Sequence, residues 1–190
     1  MELEKTKIDG LFIMNRPLRG DSRGVFTRLF GEDEISAAGR PTKAVHVNTS
    51  TSKEVGTLRG IHLQYEPYCE TKVVACLTGS IYDVAIDLRP GSQTRFEWFG
   101  ITLTPDNGKS LIIPEGFGHA FITLEPNSTV VYVVSNTYAL HRESGFRFDD
   151  PSFNITWPIE PTVLSEKDKA WGKLSDRISE LDTGLKSTKI

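Results

Sequence analysis

From Leu11 to about Trp157 the chain is a succession of short β-type runs, each closed by Gly, Pro, Asn or Asp. The runs are Gly10–Met14, Val25–Phe30, Ala44–Asn48, Thr57–Leu63 and Lys72–Leu77, then Ser80–Asp87, Arg95–Leu103, Lys109–Ile113, His119–Thr123 and Thr129–Ser135. Thr78-Gly79-Ser80 and Pro105-Asp106-Asn107-Gly108 are turn chemistry. Helix signals are sparse in this region, with one short helix expected over Glu32–Ala38. Many short strands with so few helices restrict the fold to a mainly β, antiparallel sandwich or barrel.

The C-terminus reads differently. Ser165-Glu166-Lys167-Asp168 has the form of a capping box, and Leu174, Ile178 and Leu181 continue an apolar helical stripe to about Leu185. Residues 186–190 are expected to be loose. The expected organisation is one β domain over 1–163 with a helical appendage of the same domain over 164–190. A length of 190 residues suits one core.

A net charge of −3 provides no general attraction to nucleic acid or anionic membranes, so any anion must be bound by local arrangement. Cys69 and Cys76 form neither a disulfide framework nor a zinc spacing. No stretch has the length of a membrane span and the first residues lack an apolar leader. A cytoplasmic protein without nucleic-acid or membrane partners is expected.

Chemistry concentrates in Leu58-Arg59-Gly60-Ile61-His62-Leu63-Gln64 and at Lys72. Charge inside apolar strands costs several kcal/mol unless it is paired or faces a ligand. Alternation sets Leu58, Gly60, His62 and Gln64 on one face and Arg59 on the other. A bulge at Gly60 would bring Arg59 and His62 together. A neutral imidazole is a natural base near pH 7, and a hydrogen-bonded sheet histidine is the structural alternative. Tyr132 aligns with Val130 and Val134, as a core tyrosine or a proton donor. Lys72 shares a face with Val74 and Cys76, either snorkelling to water or stabilising an oxyanion. Asp168 serves the capping box or orients His62. Arg23, Arg59 and Arg89 suit phosphate contact, a weak signal by itself. His62 and His119 suggest metal-binding cupins, but Gln64 follows His62 where such proteins place a second ligand. His46 and His141 lack a partner at metal-ligand spacing, so no metal is expected.

These residues occur in an order that resembles the dTDP-4-dehydrorhamnose 3,5-epimerase family, the RmlC-type sugar epimerases. The resemblance runs from about Gly10 to Trp171. It is carried by Asp21-Ser22-Arg23-Gly24-Val25-Phe26, Asn48-Thr49-Ser50, Leu58–Gln64, Glu70-Thr71-Lys72 and Gly79–Val84. It continues through Asp87-Leu88-Arg89, Pro114–Phe121, Val131-Tyr132, Asp150-Pro151, Ile155–Pro158 and Ser165–Asp168.

The resemblance implies a metal-free jelly-roll cupin, a homodimer with N-terminal strand exchange, and inversion of carbons 3 and 5 of a nucleotide-linked 4-keto-6-deoxyhexose. It implies His62 as base held by Asp168, Lys72 at the enolate oxygen, Tyr132 as proton donor, and no cofactor. Arg59, Asn48, Gln64, His119, Tyr138 and Glu143 would line or support the substrate site, with Arg23 and Phe26 serving the partner subunit's. The chain departs from the family pattern at Arg28, where a glutamate is usual, at His46, where a glutamine is usual, and in lacking a proline after Tyr138. Arg28 would fall near the nucleotide end, and these departures, His46 included, bear on which sugar nucleotide binds. The alternatives are an epimerase for another nucleotide sugar, one that inverts a single carbon, or a non-catalytic sugar-nucleotide-binding cupin.

Overall fold

The computed structural model describes residues 1–41 and 43–185; the loose tail expected over 186–190 lies outside them. The strands are β1 (Glu2–Lys5), β2 (Phe12–Asn15), β3 (Arg19–Asp21), β4 (Gly24–Phe26), β5 (His46–Ser52), β6 (Leu58–Gln64) and β7 (Lys72–Thr78). They continue as β8 (Ile81–Asp87), β9 (Trp98–Leu103), β10 (Lys109–Ile113), β11 (Phe117–Thr123), β12 (Ser128–Val134) and β13 (Glu143–Gly145). The helices are α1 (Glu32–Ala37), α2 (Glu166–Ala170) and α3 (Leu174–Gly184), with a 3-10 turn at Leu140–Arg142.

One sheet has the order β1-β2-β10-β7-β12-β5 and the other β13-β6-β11-β8-β9, while β3 and β4 form a separate hairpin. Among the described residues the strand pairings within these sheets are antiparallel, which gives the expected jelly-roll sandwich.

Three apolar layers explain why the central strands read as nearly continuous hydrophobic runs rather than clean alternations. Val74, Cys76, Leu111 and Val130 of the first sheet meet Ile81, Ala85, Leu103 and Phe121 of the second. On the outer face of the first sheet, Ile35 and Ala38 cover Met14, Val73, Ile112 and Val133. Outside the second, Leu174, Leu181 and Leu185 cover Ile61, Leu63, Val84 and Ala120. Each such leucine contributes roughly 1.5–3 kcal/mol of burial, so the C-terminal helices are part of the core.

The structure corrects several boundaries. The run expected over Val25–Phe30 is a strand only to Phe26. The one expected from Arg95 begins at Trp98, because Phe96 turns the chain at φ +71°. β5 extends to Ser52 through a polar, half-exposed edge strand with little hydrophobic signal. β1 and β13, short and lying at sheet edges, escape a hydrophobicity reading altogether. The C-terminal helical stretch is two helices. α2 stops at Trp171, whose ψ of 142° is extended, and Asp150 Oδ2 accepts the Leu174 N–H at 2.5 Å to start α3. Among the described residues no helix is long and apolar enough to cross a membrane.

Candidate active site

β6 carries the site, and its geometry depends on one glycine. His62 pairs with His119 and Arg59 pairs with Phe121, so three steps along β6 oppose two along β11. This is the bulge anticipated at Gly60. Gly60 has φ +127°, and a Cβ there would lie 2.4 Å from Ala120 Cβ and 2.7 Å from the His119 carbonyl oxygen. Only glycine meets both demands. The extra residue turns Arg59 and His62 into the same cavity.

α2 is brought to β6 by a parallel bridge between Thr57 and Val163, with the Leu58 N–H donating to the Val163 carbonyl at 2.9 Å. Ser165 Oγ accepts the Asp168 N–H at 3.0 Å, so the helix N-cap forms as expected. The Asp168 carboxylate turns instead to His62, with Oδ1 2.5 Å from Nε2. Nδ1 is thereby left for proton transfer. Burial opposes ionisation of Asp168, but the His62 contact, a hydrogen bond from the Ser165 hydroxyl and the Gly60 N–H outweigh it and keep the carboxyl below the usual aspartate range.

The facing wall comes from the first sheet. Tyr132 pairs with Asn48 and Val74, and Val134 pairs with Lys72. The Lys72 ammonium lies 5.9 Å from the Tyr132 ring centroid and forms an ion pair with Glu70. Burial, reinforced by the Glu70 charge and opposed by Arg59, pushes the Tyr132 phenol above its ordinary value and keeps it protonated at neutral pH.

His62, Lys72 and Tyr132 form a waist between two lobes. One lobe, about 360 Å³, is lined by His46, Asn48, Gln64, Glu70, Tyr138 and Glu143. The other, about 300 Å³, adds Ser50, Arg59, His119, Phe121, Lys167 and Asp168. His46 is exposed at the rim of the first lobe. Tyr138, 57% exposed, donates its hydroxyl proton to Glu143 Oε2 at 2.8 Å, and Glu143 Oε1 accepts from Lys167 at 2.5 Å.

Gln64 supports this rim from beneath. Its amide nitrogen donates to the Tyr68 and Thr137 carbonyls at 3.0 and 3.2 Å, and its oxygen accepts the Ala139 N–H at 2.7 Å. The whole amide is spent on fixing the loop that carries Tyr138.

Three expected site residues stay outside the cavity of a single chain. Arg23 is paired with Asp21 on the β3–β4 hairpin, and Phe26 there is 68% exposed. Arg28 lines a separate cleft with Met1, Pro17, Arg19 and Phe26. Arg89 is fully buried in a bidentate pair with Asp87, a structural role.

Sequence reasoning missed Asp83, Glu70 and Lys167 as site residues. Asp83 is fully buried, and its Oδ1 lies 2.7 Å from His119 Nε2. A signal existed, since alternation puts Asp83 between the inward Ile81 and Ala85, where a charge needs a partner. Among the described residues no group of three or more His, Cys, Asp or Glu could hold a metal ion. The arrangement is a base, a cation and a protonated phenol around one small polar space. It suits removal of a proton beside a carbonyl and its return.

The family model described as dTDP-4-dehydrorhamnose 3,5-epimerase matches residues 5–176. The dTDP-4-dehydrorhamnose 3,5-epimerase of Shigella flexneri is 40% identical over 169 residues, covering 88% of this chain and 93% of that protein. The dTDP-4-dehydrorhamnose 3-epimerase of Streptomyces niveus is 35% identical over 170 residues, covering 89% and 82%. A crystal structure of the dTDP-6-deoxy-D-glucose-3,5-epimerase of Legionella pneumophila, in complex with dTDP-4-keto-L-rhamnose, superposes with a TM-score of 0.89 at 34% identity. It covers 95% of this chain and 96% of that one.

Proposed function

This chain belongs to the dTDP-4-dehydrorhamnose 3,5-epimerase family, and from that membership we propose that it is an isomerase converting dTDP-4-dehydro-6-deoxy-D-glucose to dTDP-4-dehydro-L-rhamnose. The 4-keto group makes the hydrogens on carbons 3 and 5 acidic, because losing either gives an enolate. His62 removes the proton, steadied by Asp168. Lys72 offsets the charge that develops on the enolate oxygen. Tyr132 returns a proton to the same carbon. These proton transfers need no redox or metal group.

One observation carries this reading. His62 stands on the second sheet and Tyr132 on the first, so base and acid face each other across the cavity. A proton removed from one face of the sugar is returned to the other, which is inversion.

The test is solvent deuterium incorporation at carbons 3 and 5 of dTDP-4-dehydro-6-deoxy-D-glucose. Label at both carbons is expected; absence of label with dTDP-, CDP-, GDP- and UDP-linked 4-keto sugars would overturn the assignment. Label at carbon 3 alone would place the chain with single-carbon enzymes such as the Streptomyces niveus relative is named to be. Replacing Tyr132 by Phe should leave exchange measurable while inversion falls by about 10²-fold, since abstraction survives and return from the opposite face does not.

The hairpin of β3 and β4 supports a homodimer by N-terminal strand exchange. It exposes Val25 and Phe26 at 67% and 68%, an apolar surface that a partner subunit would cover. Light scattering should give twice the mass of the 21.2 kDa chain; a monomeric mass at assay concentration would refute this arrangement.

A further inference from the structure

Glu70 has no part in the mechanism above, yet its carboxylate is inside the cavity and against the lysine the mechanism uses. We propose that Glu70 is a positioning residue of the proton-transfer centre, fixing the Lys72 ammonium beside the Tyr132 ring and holding one negative charge in the wall that Tyr132 shares. The inference rests on the epimerase reading for its meaning, though not for its measurement.

The backbone around Glu70 is anchored independently of any substrate. The Thr71 N–H donates to Ser135 Oγ at 2.8 Å, and the Ser135 N–H donates to the Thr71 carbonyl at 3.1 Å. Glu70 and Lys72, two apart and flanking this clamp, project into the same cavity. Their side chains are 11% and 13% exposed, so the pair is shielded from the screening that makes surface ion pairs weak.

The neighbouring charges single out Glu70. Asp168 is occupied by His62, Asp83 by His119, and Glu143 by Lys167 and Tyr138. Arg59 from β6 and Lys72 from β7 supply positive charge from opposite walls of the cavity, with His46 of β5 at the rim. Glu70 is thus the carboxylate that faces Lys72 and Tyr132. Two consequences follow. One Lys72 N–H is directed to Glu70, which aims the remaining two. The negative charge also opposes ionisation of Tyr132, acting in the same direction as burial.

The decisive variant is Glu70→Gln, because glutamine keeps the length and can still accept a bond from Lys72 through its oxygen. A purely structural role would be satisfied by it. The tyrosinate absorbance of Tyr132 is read as the difference between each protein and the same protein carrying Tyr132→Phe, and this needs no substrate. In Glu70→Gln the Tyr132 transition should move to lower pH, and the alkaline limb of kcat/KM should move with it. Activity at neutral pH should fall about tenfold through misplacement of Lys72. Glu70→Asp, which keeps the charge, should retain more of the original titration. An unchanged Tyr132 titration in Glu70→Gln would overturn the proposal. Failure of the wild-type deuterium assay would instead overturn the epimerase reading and leave the titration result standing.

Discussion

Replacing His62 by alanine should abolish proton exchange at both carbons, with kcat lowered by about 10³-fold or more. The expectation follows from where the nitrogen atoms are. Nε2 is held 2.5 Å from Asp168, so the pair presents a single nitrogen, Nδ1, to the substrate. Alanine removes that atom and leaves the Asp168 carboxylate, 5% exposed, facing a void. Exchange followed by proton magnetic resonance in deuterium oxide checks it, and wild-type-like labelling by His62→Ala would refute the assignment of the base. Asp168→Asn separates the two halves of the pair. An amide cannot stabilise the imidazolium, so exchange should fall without loss of substrate binding.

Gly60→Ala should cost about 3 kcal/mol or more of folding stability. Two penalties add at this position. Alanine is strained at φ +127°, and its methyl group would stand 2.4–2.7 Å from Ala120 and the His119 carbonyl. Neither contact is the end of a flexible side chain, so β6 and β11 must separate. That separation disturbs Arg59 and His62 together, and activity should fall further than the fraction unfolded explains. Urea denaturation followed by tryptophan fluorescence measures the stability term; a variant as stable as wild type would show that the bulge tolerates a side chain.

The bulge also shows how much of the molecule was readable from its residues. A glycine between an arginine and a histidine in a strand pattern is a local signal, and both the bulge and its effect follow from period-two geometry. Lys72 with Val74 and Cys76, and Tyr132 with Val130, were readable for the same reason. The contest over Asp168 was not. Its cap and its histidine contact both occur, and only the position of α2 against β6 shows that the backbone serves one and the carboxylate the other. Asp83 and Glu70 were hidden differently, each being one half of a pair whose other half drew the attention. Phe26 and Arg28 were read from family order alone and Arg23 from that order and a weak guanidinium signal, and nothing local indicated that a single chain would keep them away from its own cavity.

His62 and Tyr132 stand on separate sheets, and in the proposed mechanism this makes the apolar layer between those sheets a caliper. The distance a proton must effectively cross is set by the side chains that hold the sheets apart, such as Val74, Val130, Ala85 and Phe121, and not by the polar groups at the tips. Sheets packed face to face stand about 10 Å apart, a spacing fixed by the side chains that fill it. Rim residues such as His46 and Tyr138 are free of that duty. On the proposed assignment, a substitution at this rim alters contacts to the nucleotide and leaves the spacing of base and acid unchanged.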